Sequence, residues 1–267
     1  MTATQTDPKQ RFSNRVEDYA RYRPGYPREI LSVLREECGL RPGSIVADIG
    51  SGTGLLAQLF LENGNVVYGV EPNAAMREAG ERCLKGYPRF RSVAGSAEAT
   101  TLAAESVDFV VAGQAFHWFD AQAARAEFTR VLRPQGWVAV IWNERKKDAT
   151  PFLRGYETLL QAYGTDYEQV VETYPDQRRM DEFFGAGAFR HRSFPNEHRL
   201  DCEGLRGRAM SASYSPSAGH PNYAPMVAAL QQLFDAHQQG GQVRFEYQTH
   251  VYYGHVKLES GKGARRA

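Results

Sequence analysis

Three sets of residues combine the types and spacing that chemistry needs. The first is "ADIGSGTGLL", with glycines at 50, 52 and 54 and an acid, Asp48, two places before the first. Glycine lets a chain turn tightly and approach a ligand without a Cβ in the way. The second is Glu71 in "GVEP", which follows Gly50 by 21 positions and so suits a carboxylate that accepts hydrogen bonds from ribose hydroxyls. The third is "VVAGQAFHWFD", residues 110–120, where Phe116, His117, Trp118 and Phe119 follow one another. So many large rings in succession cannot all enter one core face, because a strand alternates its faces and a helix spreads them around its axis.

The glycines discriminate between nucleosides. The dinucleotide pattern needs a third glycine at position 55, where Leu55 stands, and no G-K-[ST] follows to cradle phosphates. Asp48 would crowd a pyrophosphate but suits a cation. S-Adenosylmethionine, with an ammonium, a sulfonium and no phosphate, fits these residues. Aromatic faces attract cations, so part of the 116–119 cluster is expected to face the methyl donor and the acceptor beside it, while Phe116 or Trp118 packs under the following helix. His117 is a candidate general base, since imidazole titrates near neutrality and a hydroxyl or ring N–H acceptor must lose a proton. Its alternative role is to hold the loop through hydrogen bonds.

The elements that must position these residues follow from periodicity. "SIVADIG", "VVYGV", "FRSVAG", "SVDFVVAG" and "GWVAVIWN" read as strands. Between them, Thr53–Leu61, Ala74–Lys85 (capped by Asn73) and Asp120–Leu132 read as helices. Such alternation predicts right-handed βαβ units on a parallel sheet. Pro27–Cys38 predicts a helix before the core; Asp148–Phe184, Asp201–Ala212 and Pro225–His237 predict a helical cap after it. "VRFEYQTHVYYGHV" predicts a late antiparallel strand at the sheet edge. The organisation expected is an N-terminal helical lid and first helix (1–43), a nucleoside-binding core (44–147), a helical cap with strand six (148–240), a final strand (241–258) and a disordered tail (259–267). The fold class is α/β, Rossmann-like and doubly wound, with seven strands, the last antiparallel.

Composition narrows the function classes. Apolar residues make up 42% of the 267, enough for a full core, and a net charge of +1 gives no footprint for nucleic acid. Cys38, Cys83 and Cys202 lie far apart without metal spacing, so neither zinc nor a disulfide framework is expected. His191, His198, His220, His237, His250 and His255 show no metal spacing either. No apolar run reaches membrane length, and a cytoplasmic monomer or homodimer without a membrane partner is expected.

Taken in order, "VADIGSGTGLL", "VYGVEPN", "GSAEATTL", "VDFVVAGQAFHWFD" and "LRPQGWVAVIWN" resemble the successive motifs of class I S-adenosylmethionine-dependent methyltransferases. The opening "RFSNRVEDYARYRPGYP" and "AFHWFD" resemble the small-molecule branch that includes trans-aconitate methyltransferase-like enzymes. The resemblance implies that Asp48, Gly50, Ser51 and Gly52 surround the amino-acid part of the donor. It implies that Glu71 takes the ribose, that Pro72, Asn73, Ser96, Ala97 and Glu98 lie near adenine, and that Gln114 and Ala115 pass beneath the sulfonium. "SAE" stands where many members have an aspartate–alanine pair, so a serine hydroxyl or backbone carbonyl would meet the adenine amine. Arg23 is expected at the donor carboxylate or a substrate anion.

Tyr22, Tyr26, His117, Trp118, Trp142, Asn143 and Tyr214 are the expected acceptor contacts, with Tyr19 and Ser213 as lesser candidates. The acceptor is a small molecule methylated on O or N: a heteroaromatic or secondary metabolite, favoured by tyrosines at 156, 163, 167, 174, 214 and 223, or a small carboxylic acid. The alternatives are a non-catalytic nucleoside-binding protein, an NAD-dependent oxidoreductase on a related sheet, and a nucleic-acid methyltransferase. The last would carry an N/D-P-P-aromatic motif where "QAFHWF" stands.

Overall fold

Short β-branched runs, each ended by glycine or a polar loop, line up as one sheet in the computed structural model, which describes residues 21–171 and 175–256. The strands are β1 (Ile45–Ile49), β2 (Val66–Val70), β3 (Phe90–Val93), β4 (Val107–Gly113), β5 (Leu132–Arg145), β6 (Phe189–Leu200) and β7 (Val243–Gly254). Their order across the sheet is β3-β2-β1-β4-β5-β7-β6. β1 to β5 pair in parallel, and β7 runs antiparallel to both its neighbours. Strand order reverses between β1 and β4, so a crevice opens beyond their carboxyl ends, the position where such sheets bind ligands. The Rossmann-like α/β fold with seven strands, mostly parallel, is therefore the observed one.

The helices are α1 (Glu29–Cys38), α2 (Leu55–Glu62), α3 (Ala74–Cys83), α4 (Ala121–Val131), α5 (Pro151–Tyr163), α6 (Tyr167–Val171), α7 (Gln177–Phe184), α8 (Cys202–Met210) and α9 (Tyr223–His237). Several start where a short polar side chain can take an unpaired N–H of the first turn. Asn73 accepts from Met76, Asp120 from Ala123, Thr150 from Leu153, Asp176 from Arg179 and Asp201 from Gly204. α2 begins two residues later than expected because Gly54, at φ +88°, still belongs to the loop.

Three apolar clusters hold the layers together. One sheet face packs Ile30, Leu34, Leu56 and Phe60 of α1 and α2. The other packs Phe128 of α4 and Met180, Phe183 and Phe184 of α7. The third joins the cap helices α5, α6, α8 and α9 to the first half of β7 through Tyr156, Leu205, Leu230 and Phe245. The cap is thus anchored on a strand of the sheet.

One expectation is corrected here. β7 is not the edge: it lies between β5 and β6, and β6 forms the edge. Physical chemistry favours this arrangement. β7 has buried residues alternating along its length and continuously near its end, whereas β6, "FRHRSFPNEHRL", is mostly exposed and rich in charge, with Pro195 inside it. Charged side chains and proline are the devices that keep an edge from pairing further. The expected lid segment before residue 21, Tyr19, Tyr174 and the tail beyond 256 lie outside the described residues.

Phe245 is fully buried and meets Phe152 and Tyr156 edge-on at ring-centroid distances of 5.1 and 4.9 Å. Phe245→Ala should therefore cost about 3–5 kcal/mol. Urea unfolding should show this as a lower midpoint at unchanged slope.

Candidate active site

The glycine loop leaves β1 at Asp48 and turns across the carboxyl end of β2. Gly50 and Ser51 donate backbone hydrogen bonds to Val70 O at 2.8 and 3.2 Å. Gly50 sits at φ +67°, and a Cβ there would lie 2.7 Å from Ala115 Cβ, so only glycine lets this loop meet the loop after β4. Glu71 locks the arrangement: one carboxylate oxygen accepts the Gly52 N–H at 2.9 Å and the other the Asn73 N–H at 2.8 Å. Each oxygen keeps a further lone pair for a ligand hydroxyl.

Two carboxyls are buried close together here. Asp48 is 1% exposed, and among the described residues no hydrogen bond of normal geometry reaches either oxygen. Burial pushes its carboxyl up to about 7; the Ala57 backbone N–H opposes the rise and the Glu71 charge adds to it. Glu71 is also raised by burial, with the Asn73 and Gly52 N–H groups and the Arg77 charge opposing. A cation near these groups would favour their ionised forms.

The loop after β4 resolves the aromatic cluster. Phe116 turns into the core, edge-on to Phe183 at 4.9 Å, while His117, Trp118 and Phe119 line the cavity. His117 lies 4.4 Å from the Trp118 ring and 5.1 Å from Trp142, edge-on to the latter. Gln114 takes a left-handed backbone, φ +56°, uncommon for a non-glycine residue. It is held there by Gln114 N donating to Ile141 O and by its side-chain oxygen accepting from Asn143 N at 2.6 Å.

The cavity bounded by these loops and by the cap is about 540 Å³, within the range of small-molecule sites. Of the residues expected around the donor, Gly50, Gly52, Glu71, Pro72, Asn73 and Ser96 line it, and so do Ala97, Glu98, Gln114, Ala115 and Arg23. Asp48 and Ser51 lie behind this wall. Glu98 also accepts the Asp120 N–H at 3.1 Å, tying two lining loops together, and Arg23 donates to the Ser211 hydroxyl and carbonyl at 3.1 and 2.9 Å. On the acceptor side His117, Trp118, Trp142, Asn143 and Tyr214 line the same cavity.

Tyr22 and Tyr26 do not line it. Tyr22 hydrogen-bonds Glu203 at 2.8 Å and its ring covers Gly207 of α8; Tyr26 packs against Gly113 at the end of β4. Asn143 reaches the wall, but its side chain is engaged: Nδ2 donates to Gly25 O at 3.1 Å, and Oδ1 accepts from Thr249 at 2.5 Å and Asn196 at 3.2 Å. It joins the N-terminal segment to β5, β6 and β7. The sequence did not single out Arg145, Lys147 and Arg208, which also line the cavity. Arg145 had a signal, two residues beyond Asn143 at the ligand end of β5.

Residues 47–140 match the methyltransferase domain family. A methyltransferase-like protein of Schizosaccharomyces pombe is 29% identical over 90% of this chain and 93% of its own length. A methyltransferase of Mycobacterium bovis is 37% identical over 54% of this chain, and the matched part spans only 57% of that relative. A solved structure from Anaeromyxobacter dehalogenans that bears the name of a type II methyltransferase superposes with TM-score 0.62 at 23% identity, covering 88% of this chain and 98% of that one. The matched domain and the consistently named relatives support a class I S-adenosylmethionine-dependent methyltransferase. No helix among the described residues is long and apolar enough to cross a membrane.

The raised Asp48 carboxyl has a consequence for stability. The folded protein binds this proton more tightly than the unfolded chain, so the ligand-free protein should lose stability as pH rises from about 4 through about 7. Asp48→Asn removes that loss. In thermal unfolding at stepped pH, the midpoint of D48N relative to wild type should climb across this window and level off above it.

Proposed function

We propose that the cavity binds S-adenosylmethionine at its glycine-loop end and a small-molecule acceptor at its cap end, and that a methyl group passes to an O or N atom of that acceptor. The supporting observation is that eleven of the thirteen residues expected around the donor, and five of the seven expected around the acceptor, line one cavity. The chain's own residues fit the donor's chemistry. Asp48 and Glu71 are buried carboxyls suited to a cationic nucleoside, the Glu71 oxygens retain lone pairs for the ribose, and the glycine backbone permits close approach. Pro72, Asn73, Ser96, Ala97 and Glu98 would hold the adenine, and Gln114 and Ala115 would lie at the sulfonium. When bound, S-adenosylmethionine supplies an electrophilic methyl whose bond to sulfur breaks as the acceptor lone pair attacks, leaving S-adenosylhomocysteine.

The protein's work is then positioning and proton removal. Trp118 and Trp142 exclude water and offer aromatic faces beside the reacting centre. His117, held between them, takes the proton from a hydroxyl or ring N–H acceptor. A small-molecule acceptor of the kind used by trans-aconitate methyltransferase-like enzymes, or a planar heteroaromatic compound, suits the size of the cavity. No metal is assigned to this site.

The test is turnover. Incubation with S-adenosylmethionine and a library of carboxylic acids and heteroaromatic metabolites should yield a product heavier by one methylene together with S-adenosylhomocysteine, both read by mass spectrometry. His117→Asn should lower kcat by about 10²–10⁴ with an acceptor that must lose a proton, while S-adenosylhomocysteine affinity stays near wild type. A loss under about threefold assigns His117 to shaping the loop instead.

A further inference from the structure

Resting on the methyl-transfer reading above, we infer that the cap end of the cavity is an oxyanion subsite, in which Arg208 and Arg145 grip a carboxylate or phosphate carried by the acceptor, away from the atom that is methylated. Arg208, in the last turn of α8, is 6% exposed and lines the cavity. The only hydrogen bond of its guanidinium among the described residues is a long one, Nε to Tyr247 Oη at 3.4 Å; among those residues Nη1 has no partner and no carboxylate pairs with it. Its guanidinium instead faces the Phe245 ring at 5.9 Å.

Arg145 is comparably buried, with 9% of its side chain exposed. Its Nη2 donates to Glu157 and, at 3.1 Å, to Tyr167 Oη, while Nη1 has no partner among the described residues. The two guanidinium groups belong to one neighbourhood. Arg145 lies over the Tyr156 ring at 5.0 Å and opposite Tyr247 in the β5–β7 ladder, and Tyr247 is the residue that Arg208 bonds. Both also act electrostatically on Tyr156. The Tyr156 hydroxyl is a third buried donor without a partner among the described residues.

Arg145, Lys147 and Arg208 have a single paired carboxylate between them among the described residues. Glu157 serves Arg145 and also Lys147, whose Nζ lies 3.4 Å away, and no carboxylate among the described residues pairs with Arg208. The surrounding phenols cannot: burial pushes Tyr156 up to about 12, and burial also raises Tyr167. A buried guanidinium without a counter-charge is costly, and buried donors as a rule find acceptors. A ligand oxyanion satisfies both demands, with the planar donor fork that arginine offers to carboxylate and phosphate. Because an oxyanion held by two guanidinium groups has its lone pairs engaged, it serves as the handle of the acceptor and not as its nucleophile.

The test titrates tricarballylate, phosphoethanolamine and, as a neutral control, succinamide into wild type, R208M and R208K by calorimetry. Each titration is made with and without saturating S-adenosylhomocysteine. At least one anion should bind wild type, with affinity about tenfold or more weaker in R208M and intermediate in R208K, while succinamide does not bind. Which anion binds tells carboxylate from phosphate. R208M should also raise the thermal midpoint of the ligand-free protein, because it removes an unanswered buried charge; a purely structural arginine gives the opposite sign. Anions that fail to bind wild type, or that bind R208M equally well, overturn the subsite. S-Adenosylhomocysteine binding, read separately, shows whether the donor site stands when the anion site falls.

Discussion

The two backbone hydrogen bonds that Glu71 accepts, from Gly52 and from Asn73, are the constraint on which the site depends. They tie the loop after β1 to the start of α3, beside the point where strand order reverses, through a carboxyl whose pKa burial raises. Folding therefore places negative charge, or its protonated equivalent, beneath a glycine-lined crevice. A nucleoside with hydroxyls and positive charge complements that arrangement; one with a pyrophosphate does not. The remaining walls are built to this fixed end. Gln114 accepts a strained backbone to bring the β4 loop over it, and Asn143 holds the N-terminal segment through Nδ2 and the strands β6 and β7 through Oδ1.

The parallel core was legible in the sequence because its signals are local. Each strand is a short apolar run, α3 and α4 start at the capping residues Asn73 and Asp120, and the donor-side residues sit at strand ends within a few positions of those signals. The aromatic cluster was legible in outline too: strand geometry forbids burying every ring, and the structure sends Phe116 inward and the next three residues to the cavity.

What the sequence concealed depends on contacts between distant segments. Nothing in "VRFEYQTHVYYGHV" alone says whether it lies at the edge; the charged, proline-bearing run 189–200 had to be compared with it. Tyr22 and Tyr26 have the side chains of acceptor contacts, yet one covers Gly207 and the other packs against Gly113, a choice made by glycines far along the chain. Asn143 reads as a ligand donor until Gly25, Asn196 and Thr249 are seen to occupy it. Arg208 is the furthest from view: it stands in a helix with little amphipathic pattern, and its place at the cavity follows only from how the cap packs on β7.

The central claim is that the glycine loop and Glu71 form the methyl-donor site. Calorimetric titration of S-adenosylhomocysteine into wild type and Glu71→Ala tests it most directly. One site per chain, weakened about tenfold or more by the substitution and indifferent to NAD, is the predicted result. Equal binding to both proteins, or binding of NAD in place of S-adenosylhomocysteine, would contradict it.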